Sequence, residues 1–129
     1  DRTCAGRAGA ELTNTYWRIL EIAGTPVDVV EGHREPHLVL RTTEPPDFRA
    51  TVGCNTLRGR YDLEGDALTL RLSGAAATMM ACPEPLATRE RALKTALAGV
   101  AAWRVDGDRL ALLDRDGAVL LSAESVHFR

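Results

Sequence analysis

The sequence predicts a mainly β fold with one α-helix, in which short antiparallel strands form a strongly curved sheet. Three observations predict it. Apolar residues alternate with polar ones over most of the chain, which is the period of a half-buried strand. Asp-Gly and Glu-Gly pairs punctuate those stretches, and such pairs tolerate the positive φ of tight hairpin turns. One segment, about 85–98, changes to helical spacing.

Taken in order, Thr15–Ile22 is apolar and aromatic and reads as a strand, turned by Gly24-Thr25-Pro26. His37–Arg41 and Phe48–Gly53 read as two further strands separated by the turn Glu44-Pro45-Pro46-Asp47. Arg60–Leu63 and Leu68–Leu72 alternate on either side of Glu64-Gly65-Asp66, a hairpin with three leucines on one dry face. Leu86, Leu93, Leu97 and Val100 then fall at intervals of seven, four and three. Pro83 and Pro85 suit the start of that helix, and Gly99 its end. Trp103–Val105, Arg109–Leu113 and Ala118–Ser122 close the chain as a meander joined by Asp-Gly turns. A lone helix among strands packs over an open face or one end of the curved sheet. Glu90 lies on its apolar stripe, so its carboxylate needs an Arg, a backbone N–H or water; a helix-edge residue and a buried acid in a ligand cavity are the two readings.

The chain has 129 residues and a mass of 14.0 kDa, enough for one core. Eighteen acidic residues against 16 basic give a net charge of −2, which offers no long-range attraction to nucleic acid. Lys94 is the sole Lys among those 16; the arginines are scattered along the sequence and read as a GC-rich codon preference, not as a phosphate-binding motif. No apolar run is long enough to cross a bilayer, so any membrane attachment is expected through a lipid anchor outside this chain. The opening Asp1-Arg2-Thr3-Cys4-Ala5-Gly6 reads as the interior of a longer, processed protein. We divide the chain into a flexible tail or linker, 1–11, and a domain, 12–129.

No catalytic constellation emerges. Ser73, Ser122 and Ser125 lie in no nucleophile elbow, and no glycine-rich phosphate loop occurs. His33 and His37 have the i,i+4 spacing of a zinc pair, but Gly32 and Pro36 forbid the helix it needs, and His127 adds no ligand geometry. Met79, Met80, Cys82 and Cys54 are soft donors suited to Cu(I), although adjacent methionines in a strand point to opposite faces. We expect no metal and no cofactor. Trp17 and Trp103 each fall in a strand and read as core, or as ligand contacts at a barrel mouth, where Tyr61 would join them.

Cys54 and Cys82 lie in β-reading segments flanked by the small residues Gly53 and Ala81. Bonded, they place the chain in an oxidising compartment; reduced, they are two buried thiols of a cytosolic protein, and spacing alone leaves both readings open. Cys4 is the odd one, in the tail. Gly53-Cys54-Asn55, Gly59-Arg60-Tyr61 and Thr78-Met79-Met80-Ala81-Cys82, with Asn14-Thr15-Tyr16-Trp17 and Gly24-Thr25-Pro26-Val27 upstream and Glu90 and Leu110–Leu113 downstream, resemble the signature of the META (HslJ-like) domain family over residues 12–128. Ala50 stands where that family usually has Gly. The Cys4 stretch resembles the junction that follows an NlpE-like copper-resistance domain in longer lipoproteins. The resemblance implies a partly open, lipocalin-like barrel with one helix, a Cys54–Cys82 disulfide, and a periplasmic or outer-membrane-anchored, stress-related lipoprotein with no catalytic activity. Its partner would be an envelope protein or an apolar small molecule. A structural spacer, or a copper-handling module using Met and Cys ligands, are the alternatives.

Overall fold

A computed structural model describes residues 11–73 and 81–126. The strands are β1 (Trp17–Ile22), β2 (Thr25–Pro26), β3 (His37–Arg41), β4 (Asp47–Thr51), β5 (Thr56–Glu64), β6 (Ala67–Leu72), β7 (Ala102–Asp106), β8 (Arg109–Leu113) and β9 (Val119–Ser125), with a single helix among the described residues, α1 (Leu86–Ala98), between β6 and β7. All pairings are antiparallel, in the order β2-β1-β3-β4-β5-β6-β7-β8-β9, and β9 returns to β1. Eight strands therefore form a closed barrel, with β2 outside it.

Closure is the departure from the partly open barrel expected. It arises because β9 runs on to Ser125 instead of ending at Ser122, so that it pairs with β1 from Ile22↔Leu121 to Trp17↔Ser125. A ladder of that length leaves neither strand with a free edge. The seam between β6 and β7 is the thinnest part of the wall among the described residues, with one registered pair, Ala67↔Ala102, and the backbone bonds Leu68 N–H to Ala101 O (3.0 Å) and Trp103 N–H to Asp66 O (3.1 Å).

The period of two fills the barrel. Trp17, Ile19, Leu38, Leu40, Phe48, Leu68, Leu110, Leu112 and Leu121 are all but sealed from solvent, and α1 adds Leu86, Leu93 and Leu97. Each such side chain contributes roughly 1.5–3 kcal/mol by burial. The helix touches β6 on one side of the barrel and β1 and β9 on the other, so it lies across one end. Pro85 occupies its N-cap, and Gly99 ends it in a right-handed conformation (φ −95°) instead of the left-handed one its position suggests.

Three of the expected turns form as read: Gly65, Gly107 and Gly117 have φ of 64°, 64° and 87°, and the Asp114 carboxylate accepts from the N–H of Asp116 and of Ala118, both at 2.9 Å. The turn read at Gly24-Thr25-Pro26 lies instead at Ala23-Gly24, because Thr25 and Pro26 pair with β1 as β2. Ala50 sits in β4 with its pairing to Leu38 and Leu57 unbroken, so the strand accommodates it without a bulge. β3 has the bounds expected, His37–Arg41, with His33 in the preceding loop, but other boundaries differ: Thr15 and Tyr16 precede β1, β4 stops at Thr51 because the chain turns at Gly53, and β5 begins at Thr56, before Arg60. Thr78, Met79, Met80, Cys4 and His127 lie outside the described residues.

Candidate functional site

Past β4 the chain doubles back through Val52-Gly53-Cys54-Asn55 before entering β5. Gly53 has φ 123°, and a Cβ there would stand 2.8 Å from the carbonyl oxygen of Arg34, so the bend admits only glycine. Thr51 clasps the bend from within: its hydroxyl accepts from Gly53 N–H (2.9 Å) and donates to Asn55 O (2.8 Å). From outside, the Arg34 guanidinium donates to Cys54 O (3.0 Å) and Thr56 Oγ1 (2.9 Å). This turn exposes few backbone groups to water; side chains satisfy them instead.

Two further elements converge on it. Cys54 and Cys82 are joined by a disulfide with an S–S distance of 2.08 Å and Cα atoms 6.1 Å apart. Contrary to the sequence reading, neither cysteine is on a strand: Cys54 is in the bend and Cys82 in the irregular approach to α1. From the second turn of α1, Glu90 Oε1 accepts the Asn55 backbone N–H (3.1 Å) and Oε2 accepts its Nδ2–H (3.0 Å), while Asn55 Nδ2 also lies 3.3 Å from Cys82 Sγ. Glu90 is thus neither a helix-edge side chain reaching solvent nor an acid in a ligand cavity; it is the carboxylate that the turn's backbone requires. The bridge and the carboxylate together fix the start of α1 to the wall between β4 and β5.

The donor atoms of Cys54, Cys82 and Glu90 lie within 4.8 Å of one another. With the two sulfurs bonded to each other there is no thiolate to offer a soft metal, so in the oxidised state the cluster is structural.

The expected aromatic contacts do not face a common cavity. Trp17 is fully buried and donates its indole N–H to Leu12 O (2.9 Å), and Tyr61 is buried and donates its hydroxyl to Arg41 O (3.0 Å). Trp103 is not sealed core: at the thin β6–β7 seam it stays partly exposed, with its indole N–H on Gly65 O (2.9 Å). Gly59 opens the inner face of β5; a Cβ there would meet Arg71 O at 2.0 Å and Phe48 Cε2 at 2.7 Å.

A polar network that the sequence reading missed ties β1 to β9. Arg18 pairs with Glu124 and with Glu35 (3.5 Å), Arg109 approaches Glu124 (3.8 Å), and Tyr16 donates to Glu35 (2.9 Å) while stacking on His37. Burial first, then the bond to Glu35, pushes the Tyr16 phenol up to about 12. No local signal marks these residues, because their partners are 19 and 106 positions apart. Thr51 was findable, since a Thr two residues before a turn glycine is a common hydroxyl-capped bend.

The fold and this site define a small closed antiparallel β-barrel with a helix across one end and a disulfide at their junction. The chain belongs to the META domain family, whose model matches residues 10–127. No curated protein sequence matches it. Among solved structures it is similar to a Burkholderia xenovorans protein determined by NMR (TM-score 0.68, 23% identity, covering 91% of this chain and 85% of that one). A DUF4847 family protein from Bacteroides vulgatus, determined by crystallography, shares the fold at 10% identity (TM-score 0.62, covering 88% of this chain and 93% of that one).

Proposed function

We propose that this META domain is a non-catalytic binding or accessory module of the bacterial cell envelope, part of a stress-related lipoprotein, and that it works by contact with another protein. The observation that carries the reading is the Cys54–Cys82 disulfide, because such bonds persist in oxidising compartments and are rare in the reducing cytosol. The packed interior favours a protein partner over an apolar small molecule: Trp17, Phe48, Leu40 and Leu112 occupy the space a lipocalin-type ligand would need. The non-catalytic part rests on the sequence, in which no serine lies in a nucleophile elbow.

Thiol trapping during lysis of the native cell, followed by fractionation and mass analysis, tests the compartment. The expected result is recovery in the envelope fraction with Cys54 and Cys82 protected from alkylation. Recovery in the cytosol with Cys54 and Cys82 alkylated overturns the reading.

A further inference from the structure

The arginines that look scattered in the sequence are collected by the barrel onto one wall. Arg41 on β3, Arg49 on β4, Arg58 and Arg60 on β5 and Arg71 on β6 alternate with the buried residues of their strands and so share the outer face. Register puts like charges directly opposite each other twice, Arg49↔Arg58 and Arg60↔Arg71. Such pairs destabilise a sheet unless something neutralises them. Asp47 answers Arg41 through two hydrogen bonds (2.8 and 2.6 Å), and Asp62 answers Arg71. Arg49, Arg58 and Arg60 have no carboxylate within salt-bridge distance among the described residues, and Arg49 Nε is buried without an acceptor. Asp47, opposite Arg60 in register, also feels the charge of Arg49, so on this wall Asp47 and Asp62 are set against five arginines, in a chain whose net charge is −2. Beside them lies an open depression of about 330 Å³, lined by Thr43, Arg58, Arg60 and Ser73 and also by the carboxylate residues Glu44 and Asp47, the latter engaged by Arg41.

We propose that this wall is a binding site for a phosphate-type oxyanion, held by Arg58 and Arg60 with Arg49 and Arg71 flanking. The argument lies in placement, not in the choice of Arg over Lys, which is chain-wide. Planar guanidiniums on alternate residues of one strand present N–H pairs to a tetrahedral oxyanion, and neutralising the facing cations relieves the cross-strand repulsion. The surface carries none of the aromatic side chains on which nucleic-acid bases would stack. The phosphate can come from a soluble compound or a lipid headgroup.

Calorimetric titration with inorganic pyrophosphate, and co-sedimentation with vesicles of phosphatidylglycerol in phosphatidylcholine, separate the two sources. At least one probe should bind, more weakly as salt rises. The double variant Arg58→Gln/Arg60→Gln should weaken that binding tenfold or more while still melting cooperatively. Arg104→Gln/Arg115→Gln, on exposed residues outside this wall and with the same change in charge, should leave it within twofold. Pyrophosphate binding assigns the soluble source, and vesicle binding alone the headgroup. Binding of neither probe, or equal loss in both double variants, overturns the proposal.

Discussion

Glu90 and Asn55 are joined by two hydrogen bonds at 3.1 and 3.0 Å that link the second turn of the helix to the bend after β4. One of those bonds satisfies a backbone N–H, so the carboxylate completes the turn as well as holding a side chain. Glu90→Gln replaces one accepting oxygen with an NH₂ group facing a donor, and should cost about 1.5–3 kcal/mol. Asn55→Ala should cost a similar amount. In urea unfolding the double variant should lose clearly less than the sum of the two; strict additivity would show that the pair is not coupled.

The disulfide encloses 28 positions of chain. In the chain-entropy model a loop of that size contributes roughly 3–4 kcal/mol, so Cys54→Ser/Cys82→Ser should lower the urea midpoint by the corresponding amount. The fold should survive, because Glu90, Thr51 and Arg34 still hold the bend. A loss below about 1 kcal/mol would mean that the reduced unfolded chain is already constrained.

Gly59 is required by packing. The Cβ of Gly59→Ala would collide with a backbone carbonyl of the adjacent strand, which cannot move without parting β5 from β6. The expected cost is about 3 kcal/mol. Gly65→Ala, whose Cβ meets open space but whose φ is 64°, should cost only about 1–2 kcal/mol. Thermal melts of the two variants compare them, and equal losses would contradict the packing argument.

Stability should fall at both extremes of pH. Bonding to Arg41 holds the Asp47 carboxyl below its ordinary 3.8, and bonding to Arg18 holds that of Glu124 below 4.5. The unfolded chain therefore takes up these protons first, and this contribution is intact above about 4.5 and is lost as pH falls below it. Tyr16 works in the opposite direction. Its unfolded value is 10 and its folded value about 12, so the unfolded chain loses the proton first and stability drops as pH rises from 10 to 12. Urea midpoints measured against pH should show both limbs, with Asp47→Asn shallowing the acid one and Tyr16→Phe the alkaline one.

Hairpins and helix were legible because their signals are local. Leu68, Leu70 and Leu72 alternate within one strand, Gly65 and Gly107 mark their own turns, and Leu86, Leu93 and Leu97 share one helical face. The sequence of β9 contains nothing that specifies β1 as its neighbour, so closure was not legible; it follows from strand tilt and length around the whole sheet. The same holds for the site. Glu90 was marked by its polar character on an apolar stripe, yet its partner Asn55 is 35 positions away. The arginine wall escaped notice because register, which pairs Arg49 with Arg58 and Arg60 with Arg71, is a property of the folded sheet.

The helix behaves as a cork on a tether. Its leading end is attached to the rim by a covalent link as well as by a carboxylate, whereas its trailing end simply runs on through Gly99 into the next strand. Reduction therefore does not release the stopper; it removes one fastening and leaves on the same side the Glu90 carboxylate and the bond from Arg89 to Asp28 O. Any guest that entered the barrel would have to displace Leu93 and Leu97 while those fastenings still held.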